Sequence, residues 1–171
     1  WEGGKVHTGF AKYVDEIWDD IKKLFFEHGV NPKNNKTKKV YITGHSLGAA
    51  AATIAASRLG TFASGCFTYG SPRAGNRAFT KSIKCPVWRF RNQRDLVTRV
   101  PMALMGFKHV GKFCYIDGNH DIRVGAVNWT RVFKDGIASI FNKTVGDGFV
   151  DHSISDYTKY IEECKQIHKK S

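Results

Sequence analysis

The pentapeptide Gly44-His45-Ser46-Leu47-Gly48 restricts the fold of this chain more than any other stretch. Four β-prone residues, Val40-Tyr41-Ile42-Thr43, precede it, and the alanine-rich run Ala49-Ala50-Ala51-Ala52-Thr53-Ile54-Ala55-Ala56 follows. A strand that turns through G-x-S-x-G into a helix is a nucleophile elbow, with the serine at the tip of a strained turn. Glycines two residues before and after the serine are expected to keep Cβ atoms out of the space where strand and helix nearly touch. The helix aims its unpaired N–H groups at the oxyanion that forms when Ser46 attacks a carbonyl. The alternative is a glycine turn in an α/β protein whose serine only caps the helix.

Strand and helix signals alternate along the rest of the chain. Thr8 is expected to cap a helix running to about His28, with Phe10, Val14, Ile17, Ile21, Leu24 and Phe25 on its apolar stripe. Strands are expected at 40–43, 65–69, 87–90 and 112–116, and a short helix at 75–83. A last helix starts near Ser153, where Ser153 and Asp156 have the spacing of a capping box. Ile154, Tyr157, Ile161, Cys164 and His168 fall along one of its faces. Residues 120–149 carry only a weak helical signal at 130–141. The alternation implies an α/β fold, a mostly parallel sheet with helices on both faces, in a single domain spanning 1–171.

Charge and cysteine content narrow the partners. The 171 residues carry a formal net charge of +12, which complements anionic surfaces such as acidic lipid head groups. No helix-turn-helix, zinc-finger or RNA-binding signature accompanies the lysines and arginines, so nucleic acid is not an expected partner. Cys66, Cys85, Cys114 and Cys164 are widely spaced without C-x-x-C, which argues against a metal or redox site and leaves buried thiols as the default. Disulfides and glycosylation at Asn35, Asn128 and Asn142 would require a secretory setting. No apolar run approaches the roughly 20 residues of a membrane-spanning helix.

A serine hydroxyl needs a base, normally a histidine oriented by a carboxylate, in the chain order serine, acid, histidine for an elbow of this kind. Asp95 and Asp117 are the carboxylates placed just after strands; His109, His120, His152 and His168 follow. Position leaves several combinations open. Asp95 has the better local argument, in a loop on the sheet edge where ligands bind.

Six ordered blocks resemble the class 3 lipases, the fungal-lipase-like branch of the α/β-hydrolase fold. They are Lys5-Val6-His7-Thr8-Gly9-Phe10, the elbow with Thr43 and Ala49-Ala50, and Thr68-Tyr69-Gly70-Ser71-Pro72-Arg73-Ala74-Gly75-Asn76. Further on stand the acid loop from Arg89 to Pro101, His109-Val110-Gly111, and Asp151-His152-Ser153 with Tyr157. The resemblance implies a triad of Ser46, Asp95 and His152, with the Leu47 backbone N–H in the oxyanion hole. It leaves structural roles for His7, His45 and His109, and helix-end positions for His28 and His168. It implies a serine carboxylic-ester hydrolase acting on acylglycerols, a triacylglycerol lipase first, secreted, and needing no cofactor and no metal. Phospholipase A1 or feruloyl-esterase-like specificity is the alternative within the enzyme class, and a non-catalytic lipid-binding module the alternative outside it.

The family's second oxyanion donor comes from an Arg-Gly-Ser or Arg-Gly-Thr loop upstream of a lid, and this chain contains no such tripeptide. The N-terminal strands and lid are therefore expected to belong to a longer polypeptide or a separate segment. The strand at 40–43 is expected at a bare sheet edge.

Overall fold

The computed structural model describes residues 3–30, 38–93, 95–101, 103–125, 152–164 and 167–169. The first helix, α1, spans Thr8–Glu27; its N-cap is His7, without the side-chain cap expected from Thr8. Phe10, Val14 and Trp18, spaced four residues apart, carry its contact with the core, while Leu24 is half-exposed. Strand β1 (Val40–His45) leads through Ser46 into α2 (Leu47–Leu59). Ala49 to Ala56 are all buried, because α2 is wedged between α1 and the strands β1 and β2 (Ala63–Tyr69). Six of these eight are alanines, whose methyl side chains let three layers pack at close range, and a larger residue in place of one would overpack the helix.

Downstream lie β3 (Gly75–Asn76), α3 (Arg77–Ser82), β4 (Val87–Asn92), β5 (Phe107–Lys108), β6 (Lys112–Ile116), β7 (Ile122–Val124), α4 (Ile154–Glu162) and β8 (Ile167–Lys169). The expected helix at 75–83 is thus a two-residue strand followed by a shorter helix, with the Asn76 side chain capping it at the Phe79 N–H. Six strands form one sheet in the order β1-β2-β4-β6-β7-β8, parallel except for the β6–β7 pair, and β3 pairs with β5 separately. Among the described residues β1 pairs only with β2, so its other edge is bare.

Side chains alternate across the sheet. Cys66 and Val87 face the core under α1 and α2. Tyr69, Trp88, Phe90, Cys114 and Ile116 face α4. On that second face Phe67 stacks on Trp88 at 4.9 Å and Tyr69 on Phe90 at 5.1 Å, both directly opposite in the β2–β4 register. Helices therefore cover both faces of the sheet.

Two expectations at the C-terminal side fail. His168 lies in β8, paired with Arg123, rather than on the last helix, which stops at Glu162. Ser153 stands at the N-cap of α4 without a side-chain cap bond. The helix expected at 130–141 and the three asparagine sequons lie outside the described residues.

Candidate active site

Parallel strands end on one edge of the sheet, and the loops after β1 and β4 meet there. Ser46 sits between β1 and α2 at φ 57°, ψ −125°, a conformation that a residue with a side chain rarely adopts and that costs about 1–3 kcal/mol. Its N–H donates to the Tyr69 carbonyl at 3.0 Å, tying the turn to the neighbouring strand. The two flanking glycines differ. A Cβ on Gly44 would overlap the Gly48 carbonyl, whereas one on Gly48 would meet open space. Only the first glycine is therefore sterically required by the described residues.

Ser46 Oγ lies 2.7 Å from His152 Nε2. His152 Nδ1 lies 3.0 and 2.9 Å from Asp95 Oδ1 and Oδ2. The structure thus brings together the three side chains singled out in the sequence. With a carboxylate on Nδ1, that nitrogen carries the proton, and Nε2 is free to accept one from the serine. Leu47 is the first residue of α2, where an N–H has no intrahelical acceptor.

Asp95 is fully buried, and its oxygens are held by more than the imidazole. The Val97 N–H donates to Oδ1 at 2.9 Å, and the Tyr157 hydroxyl donates to Oδ2 at 2.7 Å. The Asp95 carbonyl accepts the Thr98 hydroxyl at 2.8 Å, which closes the loop on itself. Tyr157 stands on α4 and was legible only as part of its apolar stripe and of the final motif. A phenol on a buried stripe requires a partner for its oxygen, and this was the signal available. Gly70 was likewise visible only within a motif. It holds φ +58°, and a Cβ there would sit 2.6 Å from Asp95 Oδ2 and 2.8 Å from His152 Nδ1.

The competing groups are engaged elsewhere. Asp117 is buried in the β6–β7 turn, accepting the Asn119 and Asp121 N–H groups at 3.0 and 3.2 Å and pairing with Arg123 Nε at 2.6 Å. His120 stacks on Tyr160 at 3.8 Å, with Glu163 3.5 Å from its Nδ1. Burial and the nearby Arg89, Arg73 and Arg91 push the His109 pKa down to about 3, so it is a neutral ring. His7 packs on Phe10 and Phe107, and its Nδ1 has no hydrogen-bond partner among the described residues. His28 forms the C-cap of α1. Cys66, Cys85 and Cys114 are buried free thiols, with burial pushing Cys66 up to about 12.

Residues 1–105 match the family described as Lipase (class 3). This chain belongs to the class 3 lipase family. Within it, the chain is similar to secreted mono- and diacylglycerol lipase 1 of Fusarium solani, 33% identical over 172 residues that cover 96% of this chain and 50% of that protein. The structure of a mutant form of MDLA from Penicillium cyclopium matches with TM-score 0.64 at 28% identity, over 86% of this chain and 56% of that one. That of a triacylglycerol lipase, described as having a serine protease triad at its catalytic centre, matches with TM-score 0.57 at 32% identity, over 68% of this chain and 47% of that one. The likeness makes the fold that of the α/β-hydrolases. This class 3 lipase chain spans about half the length of the curated relatives it matches.

Proposed function

We propose that the chain carries the active site of a secreted carboxylic-ester hydrolase that cleaves acylglycerols through an acyl-enzyme on Ser46. The observation that carries this reading is the unbroken relay from Ser46 Oγ to His152 Nε2 and from His152 Nδ1 to Asp95. In the first half-reaction Ser46 Oγ attacks the ester carbonyl while His152 takes its proton. The Leu47 N–H stabilises the oxyanion, and His152 returns the proton to the leaving alcohol. Water then attacks the acyl-enzyme by the same route in reverse roles, releasing the fatty acid and free Ser46. Asp95 holds the ring in the Nδ1–H tautomer and stabilises its cation.

Within the acylglycerols, mono- and diacylglycerols are favoured over triacylglycerols by the extent of the likeness. The Penicillium cyclopium MDLA structure aligns with 86% of this chain and the triacylglycerol lipase with 68%. Secretion follows the names of the Fusarium and Penicillium relatives. The net charge of +12 suits docking on anionic lipid surfaces. A lipid-binding module without catalysis is disfavoured because such a module has no use for a strained serine joined to a buried acid through an imidazole.

A fluorophosphonate probe tests the reaction. It is expected to label the wild type and not Ser46→Ala, whose kcat should fall by about 10⁶. A folded wild type that resists labelling would defeat the proposal. Comparison of hydrolysis rates on monoolein, diolein and triolein then decides the substrate order.

A further inference from the structure

We infer that His45, the residue before the nucleophile, is a positioning residue that holds the His152 backbone in place. The inference rests on the proposed role of His152 as base. Its own ground is a contact at the end of β1: His45 Nε2 lies 2.6 Å from the His152 carbonyl oxygen. A carbonyl only accepts, so Nε2 carries the proton and donates it. The two rings lie 4.6 Å apart at 34°, and the Tyr157 ring meets His45 edge-on at 5.8 Å. His45 thus touches the base at both backbone and ring.

His152 is the second residue before α4, at a point where its own ring is fixed by Asp95. Fixing only the ring would leave the peptide free to pivot about it. A bond to the carbonyl removes that freedom and links the base to β1, which also delivers Ser46. Serine and histidine, 106 residues apart, are thereby referenced to the same strand end. His45 is the last residue of β1, so this bond reaches His152 from the strand side of the elbow.

The charge state fits the role. The groups facing His45 are His152, Asp95 and Tyr157, and burial, chiefly, lowers the pKa of His45. It therefore remains neutral near pH 7 and adds no like charge when His152 accepts the serine proton. A permanent cation at this position would oppose that step.

The test compares His45→Phe, which keeps a ring and removes the donor, with His45→Gln, whose amide N–H restores one. Both are made in the full-length protein. A displacement near 1 Å costs about a hundredfold in rate, so His45→Phe is expected to lower kcat by about 10–100-fold with KM within about twofold. His45→Gln should recover most of that loss. The downfield proton resonance of the His152 Nδ1–H to Asp95 bond gives a readout without turnover, and is expected to broaden or vanish in His45→Phe and persist in His45→Gln. Should His45→Phe not fold, His45→Asn, with an amide too short to reach, takes its place. Equal losses in the donor and non-donor variants overturn the inference, as does an unchanged resonance in the non-donor variant. A wild type without ester turnover would defeat the proposed function alone, since the resonance still reports whether His45 holds His152.

Discussion

The Tyr157 hydroxyl donates to Asp95 Oδ2 at 2.7 Å across 62 residues of chain, with both side chains fully buried. The Tyr157 hydroxyl oxygen in turn accepts the Asn92 N–H at 2.9 Å. One hydroxyl therefore joins α4, the end of β4 and the acid loop. Burial raises the phenol's pKa well above its ordinary value, and Asp95 adds to the effect, so the group remains a donor throughout the working pH range. Tyr157→Phe removes both bonds and leaves a buried amide and a carboxylate oxygen short of a partner. It is expected to destabilise the protein by about 2–4 kcal/mol in urea unfolding. Its kcat should fall by roughly tenfold with KM little changed, because Asp95 loses a constraint on its orientation.

Asp117 and His120 occupy positions in the sequence comparable with those of Asp95 and His152, and geometry separates the pairs. His120→Gln is expected to leave kcat within about twofold of wild type, while His152→Gln should lower it by about 10⁴ or more. Asp117→Asn should affect stability rather than rate per folded molecule. Burial would raise the Asp117 pKa, but the Arg123 hydrogen bond and the Asn119 and Asp121 N–H groups outweigh it and hold the carboxyl below 3.8. A depressed carboxylate stabilises the fold above its unfolded pKa, and that contribution disappears as the pH falls below about 4. Unfolding midpoints measured between pH 6 and pH 2 should therefore drop more steeply in the wild type than in Asp117→Asn.

Much of this site was legible because its signals are local. The elbow combines a glycine that steric contact requires, a serine and eight buried residues, six of them alanines, within the 13 positions 44–56. Choosing Asp95 and His152 over their rivals needed resemblance, since position along the chain left both pairs open. What remained hidden depends on tertiary context. Three-residue strands such as β7 and β8 are too short to show a period, so the sheet continues past the last expected strand and takes His168 with it. The apolar stripe of α1 extends beyond its buried face: Leu24 fits the pattern but lies outside the core that Val14 and Trp18 reach. Gly48 matches the motif although the described neighbours leave room for a side chain.

His109 predicts a second pH dependence, at milder acidity. Its pKa is pushed down to about 3, first by burial and then by Arg89, Arg73 and Arg91. A histidine held neutral in the fold stabilises it above the unfolded pKa of about 6.5 and progressively less below it, because only the unfolded chain then binds the proton. Between pH 6 and pH 4 the wild type should lose up to about 1.4 kcal/mol per pH unit from this group. His109→Gln removes the titration, and its unfolding free energy should fall less steeply over that window. Parallel curves for the two proteins would contradict the assignment.

Gly70 and Gly106 make a matched pair, since both hold positive φ, +58° and +83°. An alanine at either position incurs backbone strain of about 1–2 kcal/mol, so thermal or urea unfolding should show similar losses from that cause. Their surroundings differ. At Gly106 an added Cβ meets nothing within 4 Å, whereas at Gly70 it meets Asp95 Oδ2 at 2.6 Å and His152 Nδ1 and Cε1 at 2.8 and 2.9 Å. Asp95 cannot yield cheaply, because it is locked by Val97, Thr98 and Tyr157. The imidazole must therefore move away from Asp95, from Ser46, or from both. Gly70→Ala is expected to lower kcat by about a hundredfold or more, and Gly106→Ala to retain wild-type kcat in the folded fraction. Equal effects on kcat would mean that strain alone, rather than contact with the acid and base, makes Gly70 necessary.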